Sequence, residues 1–270
     1  MSISASKPIG LFDSGVGGLT VAHAIRSVLP GERLIYFGDT FHLPYGDKSS
    51  DSVKYYSTRI SDFLLEKDCK VILIACNTAS ASAYKEVREH VGDRALVVNV
   101  VDPVAETVAG AYQDGRIGVI GTKGTINSRT YPSKIAGLNP SLEVVSLATP
   151  LLVPMIEEGF VFDDISNAII RAYLSDGALE GISGLILGCT HYPIIKRQIE
   201  KYYDFNVNVI DSATIVARSL KKLLGEEGLL NPGKSDPDRF YVSDYTDYFG
   251  KIARLFFEED LELEQIDFWK

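Results

Sequence analysis

Ile9-Gly10-Leu11-Phe12-Asp13-Ser14-Gly15 is a short apolar run ending in small and polar residues, and Ile117-Gly118-Val119-Ile120-Gly121-Thr122-Lys123-Gly124 repeats its character at an offset of 108. A second pair, Ile72-Leu73-Ile74-Ala75-Cys76-Asn77-Thr78 and Leu185-Ile186-Leu187-Gly188-Cys189-Thr190-His191, is offset by 113. Two small units related by a repeat of about 110 residues fit both offsets. The runs are apolar on both faces, as strands buried in a parallel sheet must be. Similar runs at 9–13, 34–37, 71–75, 96–100, 116–120, 143–147, 184–187 and 207–210 are the candidate strands. Amphipathic stretches at 17–28, 51–66, 80–91, 104–112, 125–136, 162–174, 194–203 and 213–224 lie between and after them as candidate helices. This alternation predicts an α/β fold: two similar parallel-sheet domains related by a pseudo-repeat, with the active site in the cleft between them.

Asp102-Pro103 suggests a boundary, because the residue before a proline tends to leave helical geometry. The expected division is 1–99 plus 211–270 for the first domain and 100–210 for the second. Pro232, Gly233 and Pro237 mark a loop, after which ordered patterns resume at 239–243, 247–257 and 261–268. A tail of this size is small for a third domain and is expected to pack back onto the first.

The 270 residues carry 27 Lys+Arg against 36 Asp+Glu, a net charge of −9, which argues against nucleic acid as a partner. A composition 46% hydrophobic and 23% charged is that of a globular protein. The most apolar long stretch, 142–156, is interrupted by Ser146, Thr149, Pro150 and Pro154. It falls short of the roughly 20 residues a spanning helix needs, so no membrane segment is expected. No apolar run of signal-peptide length precedes Ile9, and three widely spaced cysteines, 69, 76 and 189, make no disulfide framework. A reducing, cytoplasmic compartment is the expectation.

Five segments share one character, each following a strand and each rich in Gly, Asp, Ser, Thr and Asn: 13–18, 39–40 with 44–46, 76–80, 121–125 and 188–193. Ligands in open parallel sheets bind at the carboxyl ends of strands, so these segments are expected to converge. Amides and hydroxyls there can hold a carboxylate or phosphate; any one segment alone reads first as an N-cap, and the five together weaken that reading. Cys76 and Cys189 hold equivalent places in the two repeats, each at a helix start, where a thiol pKa falls below its reference of about 8.5. Two sulfurs approaching one cleft from opposite sides suit removal of a proton from one face of a carbon and its return to the other. Cys69, between Asp68 and Lys70 ahead of a strand, reads as a bystander. A phosphatase loop would need arginine six residues after the cysteine, where Ser82 and Ile195 stand. Cys189-Thr190-His191 lacks the paired spacing of a zinc site, and Gly15-Val16-Gly17-Gly18 does not match a dinucleotide fingerprint. No metal is expected. A thiol nucleophile using His191 as base stays open, though residues i and i+2 at a turn rarely face each other.

The segments around Asp13-Ser14-Gly15, Pro44-Tyr45-Gly46, Cys76-Asn77-Thr78 and Gly188-Cys189-Thr190-His191 closely resemble the bacterial glutamate racemases, of the cofactor-independent Asp/Glu racemase family, in order over about residues 9 to 212. The resemblance implies an isomerase that interconverts L- and D-glutamate without cofactor and supplies D-glutamate for peptidoglycan. It implies Cys76 and Cys189 as opposed acid and base, Asp13, His191 and Glu157 as auxiliary catalytic residues, and substrate contacts at Asp13, Ser14, Tyr45, Gly46, Asn77, Thr78, Thr190 and His191. By the same analogy Cys76 deprotonates D-glutamate. Glu158, beside Glu157, competes for its place. Phe41-His42 departs from the small and basic residues many relatives carry there, and the absence of a long extension before Ile9 argues against activation by a cell-wall precursor. The expected partner is glutamate itself, with a homodimer as the candidate assembly. Three alternatives remain: a racemase of the same architecture for aspartate or another amino acid, in which relatives carry an acidic residue at the position of His191; a non-catalytic anion-binding module; and a pyridoxal enzyme using Lys123.

Overall fold

The computed structural model describes residues 3–233, 236–257 and 261–270. Its first half runs β1 (Ile9–Asp13), α1 (Leu19–Val28), β2 (Leu34–Gly38), α2 (Ser50–Glu66), β3 (Val71–Ile74), α3 (Asn77–Val91) and β4 (Leu96–Asn99). The second half runs α4 (Val101–Ala111), β5 (Gly115–Gly121), α5 (Lys123–Asn127), α6 (Thr130–Leu138), β6 (Leu142–Ala148), α7 (Leu152–Glu157), α8 (Asp164–Leu174), β7 (Gly184–Gly188), α9 (Lys196–Tyr202) and β8 (Asn208–Ile210). It is followed by α10 (Ser212–Glu226), β9 (Arg239–Val242), α11 (Asp247–Phe257) and β10 (Leu263–Gln265). Residues 234 and 235 of the sequence-predicted loop lie outside the described residues.

The strands form two sheets, ordered β10-β9-β2-β1-β3-β4 and β6-β5-β7-β8, with every pairing parallel. The repeat is therefore topological: β6-β5-β7-β8 reproduces β2-β1-β3-β4, with β5 standing for β1 and β7 for β3. In this order the chain reverses direction across the sheet between β1 and β3, and again between β5 and β7. That switch point opens a crevice at the strands' carboxyl ends. Asp13 ends β1 and Cys76 follows β3; Thr122 and Cys189 follow β5 and β7.

One core joins the two sheets. Ile9 and Leu11 of β1, Val21 and Ile25 of α1, Leu185 and Leu187 of β7, and Val216 and Leu220 of α10 are all buried in it. The outer face of the first sheet is covered by α2 and α3 through Ile60, Leu64 and Ala83, and α4 covers Ile117, Val119 and Ile186 of the second through Val101, Val104 and Val108.

Four local readings are corrected. Pro103 occupies the third position of α4, so Asp102 is helical; a first-turn proline gives up no intrahelical bond. The helix predicted over 125–136 is two, α5 and α6, separated by Arg129 in the left-handed region at φ 54°. The start of the helix predicted over 194–203 is a 3-10 turn, Tyr192–Ile195. The stretch 142–156, read as interrupted at Pro150 and Pro154, leads into α7 at Leu152–Glu157, too short to show a period and with Pro154 again in its first turn.

Candidate active site

The crevice holds a cavity of about 170 Å³ whose wall is drawn from both halves of the chain. Ser14, Tyr45, Gly46, Cys76, Asn77 and Thr78 come from the first sheet's loops; Glu157, Cys189, Thr190 and His191 from the second's. These are the sequence-predicted site residues, with one exception. Asp13 is fully buried behind the wall, where its Oδ2 accepts from the Gly18 N–H at 2.9 Å and its Oδ1 has no partner among the described residues. Burial raises its pKa above the ordinary carboxylate value, against the charge of His191 and the backbone N–H groups that favour the anion.

Cys76 caps α3: its sulfur accepts from the Ala79 N–H at 3.5 Å, and its thiol reaches Ser14 Oγ at 3.8 Å. The helix start does not lower this pKa. Burial pushes the Cys76 thiol up to about 12, the charge of Asp13 adds to the rise, and the Ala79 and Ser14 contacts oppose it. A sulfur only 5% exposed loses more by desolvation than one helix terminus returns.

Cys189 and His191 do face each other, contrary to the i, i+2 expectation, with Sγ 3.7 Å from Nδ1. Both line the cavity, just ahead of the 3-10 turn Tyr192–Ile195. His191 Nε2 lies 2.9 Å from Glu157 Oε1, while Glu158 is exposed, so it is Glu157 that stands beside His191. Burial disfavours the imidazolium, but the hydrogen bonds to Cys189 and Glu157 and the charges of both raise the His191 pKa well above its ordinary value. Each sulfur therefore has ionisable neighbours of its own: His191, with Glu157 behind it, beside Cys189, and Asp13 near Cys76.

The two halves are closely fitted around the cavity. A Cβ on Gly17 would stand 2.5 Å from both Nδ1 and Cε1 of His191, and one on Gly46 would stand 2.7 Å from Thr122 Cβ. Only glycine permits these approaches. Hydrogen bonds cross at the same level: Thr20 Oγ1 to the Thr190 carbonyl at 3.1 Å, Tyr131 OH to Asn77 Oδ1 at 2.7 Å, and between the hydroxyls of Thr78 and Thr122 at 2.8 Å. With its oxygen taken by Tyr131, Asn77 keeps an Nδ2 that is buried and has no partner among the described residues. It is a donor available to an anion in the cavity.

Two residues of the predicted segment 121–125 that were not named as substrate contacts reach the site, and residues outside all five predicted segments join them. Thr122 and Lys123 line the wall, and Lys123 Nζ meets Asp47 Oδ1 at 3.5 Å across the cleft. Thr149, Val153 and Pro154 complete the side below Glu157. Thr149 follows β6, and the strand-end rule applied to that strand would have found it. Conversely, Asp39 and Thr40 do not reach the cavity. Phe41 and His42 are likewise off its wall, where the neighbouring Leu43 and Pro44 stand instead.

The family model for Asp/Glu/Hydantoin racemase matches residues 20–220. The chain belongs to this family. The glutamate racemase of Chlorobaculum parvum is 43% identical over 260 residues, 96% of this chain and 95% of the relative. The crystal structure of the Francisella tularensis glutamate racemase in complex with D-glutamate is 40% identical, covers 98% of this chain and 99% of its own, and superposes with a TM-score of 0.91. An aspartate racemase of Picrophilus torridus, 19% identical with a TM-score of 0.55 over 83% of this chain and 99% of its own, shares the fold alone.

Proposed function

We propose that this chain is a glutamate racemase, a cofactor-independent isomerase that interconverts L- and D-glutamate through two thiols and supplies D-glutamate for peptidoglycan. The observation that carries the reading is that Cys76 and Cys189, one from each half, border one cavity, each with separate ionisable neighbours. The glutamate racemase relatives, one of them bound to D-glutamate, support the choice of substrate.

In the proposed reaction the Cys189 thiolate removes the α-proton of L-glutamate. The electron pair left on Cα spreads into the α-carboxylate, held by Asn77 Nδ2 and the surrounding hydroxyls. The neutral thiol of Cys76 then gives its proton to the opposite face, so one Sγ–H bond forms as another breaks and the two sulfurs exchange protonation states. The high pKa of Cys76 suits it to this role as acid. In the reverse direction Cys76 takes the proton from D-glutamate, with Asp13, a stronger base for being buried, receiving the thiol's proton beforehand. Glu157 and His191 serve Cys189 in the same way. Ser14, Tyr45, Gly46, Thr78 and Thr190 complete the substrate's contacts, and no metal or cofactor enters the scheme.

No helix among the described residues is long and apolar enough to cross a membrane. Three free thiols support a cytoplasmic location. The exposed Leu151, Phe160, Phe162 and Ile165 support a homodimer, which sizing chromatography tests. Circular dichroism with glutamate and aspartate enantiomers tests the function. Turnover of glutamate is expected, and turnover of aspartate alone would overturn the reading.

A further inference from the structure

Tyr45 forms part of the cavity wall, yet its hydroxyl points away from the cavity's chemistry, into Asp39 Oδ2 at 2.7 Å. Asp39 is fully buried, and three further donors from separate segments converge on its carboxylate. Ser243 Oγ, just after β9, donates to Oδ1 at 2.8 Å, Trp269 Nε1 donates to the same oxygen at 2.7 Å, and His42 Nδ1 stands 3.0 Å from Oδ2. Aromatic packing holds the outer partners: His42 stacks on Tyr56 at 3.9 Å, Trp269 meets His42 edge-on at 4.6 Å, and Phe268 packs on Phe37 at 4.9 Å. A buried carboxylate is retained only where donors satisfy it, so removing any one donor leaves the others to rearrange around a charge that cannot reach water.

We infer that Trp269 is a positioning residue for the substrate. Through Asp39 it fixes Tyr45, and with it the cavity-wall segment 43–47, so the strap at 266–269 sets the affinity of a site it does not touch. Trp269 is not on the cavity wall, and it reaches the wall by two consecutive hydrogen bonds sharing one carboxylate. Two of the four donors, Ser243 and Trp269, lie more than 200 positions from Asp39, so the full arrangement exists only when β9 and the strap are docked beside β2. The inference rests on the proposed glutamate racemase activity.

Trp269→Phe keeps the ring and deletes the N–H. It is expected to raise KM for glutamate about three- to tenfold with kcat within about twofold, because a loosened wall weakens ground state and transition state alike. Tyr45→Phe acts through the same carboxylate, so the double variant is expected to be no worse than the worse single one. An unchanged KM in a folded Trp269→Phe, or independent, multiplicative effects, overturns the inference. Trp269 is the chain's one tryptophan, so wild-type fluorescence reports on it even if the variant fails to fold. D-glutamate is expected to give a saturable emission change, and no change at saturation overturns the inference. Wild-type racemisation separates the two failures: activity with no Trp269 effect removes only the strap's role, whereas absence of activity removes the functional reading.

Discussion

Gly17→Ala places one methyl group where the two halves of the molecule meet. The new Cβ would lie 2.5 Å from His191 Nδ1 and Cε1 and 2.6 Å from Thr190 Oγ1, against the roughly 3.5 Å at which carbon contacts become favourable. Relief requires a displacement of about 1 Å. If the imidazole moves, it leaves Glu157, now 2.9 Å away, or Cys189, at 3.7 Å. If the halves move apart instead, the 3.1 Å bond from Thr20 Oγ1 to the Thr190 carbonyl breaks and the cavity opens to water. Either route disturbs the proton partner of Cys189. A misplacement of about 1 Å can cost on the order of 100-fold in rate, and the overpacking itself about 1–3 kcal/mol of stability. Racemisation followed by circular dichroism, at a temperature well below the variant's Tm, separates the two effects. Gly110→Ala is the control, since nothing stands within 4 Å of its Cβ and it lies in α4. It is expected to keep full activity with a Tm at or above wild type. A Gly17→Ala enzyme within twofold of wild-type rate would refute the claim that His191 is held in place by this loop.

Cys76→Ser and Cys189→Ser are each expected to abolish racemisation, while Cys69→Ser, buried against Gly10 and away from the cavity, keeps its rate; undiminished turnover in either of the first two contradicts the roles given to them. With its thiol pushed up to about 12 against an ordinary 9.0, Cys76 should react with iodoacetamide roughly 30-fold more slowly than an unperturbed thiol at pH 8, the scarcity of thiolate being partly offset by its greater basicity, as peptide mapping can measure. The same rise means that Cys76 favours folding fully below pH 9 and loses that contribution as pH climbs from 9 towards 12, which thermal melts of wild type and Cys76→Ser can compare. Asp13 also has a raised pKa, so its contribution is complete below about 3.8 and is lost as pH rises through the folded-state value. Asp13→Asn should therefore gain Tm relative to wild type as pH rises above about 3.8, while losing activity, and a Tm advantage that shrinks with rising pH would contradict this.

The sheets were legible in the sequence because buried parallel strands leave an apolar run between polar turns. Ile9–Asp13 and Gly184–Gly188 read almost residue by residue. The pairing of β1 with β5 and β3 with β7 followed from the offsets, and the shared strand order gives it a topological basis. Helix α7 was hidden by its length and by Pro154, a breaker everywhere except the first turn it occupies. Apart from Glu157, at the end of α7, the cavity-facing residues among the candidates lie in segments that follow strands. Thr149, Val153 and Pro154 were missed because the stretch was read for hydrophobicity and not for its place after β6. Asp39 has the composition of a site residue but is a buried acceptor, a distinction that depends on Trp269 and Ser243 arriving from more than 200 positions away. The pKa of Cys76 could not follow from its place at a helix start, since burial, set by the whole fold, dominates it.

The central claim, that two monoprotic sulfurs act on opposite faces of one carbon, is tested most directly in heavy water. L-glutamate is incubated with the enzyme for a small fraction of a half-life, and the α-hydrogen of each enantiomer is read by mass spectrometry. The proton taken by one thiol is not the one delivered by the other, so the D-glutamate formed should carry deuterium at Cα from the first turnovers. D-glutamate that retains the original protium would contradict the account, because it would mean that a single base carries the hydrogen from one face to the other.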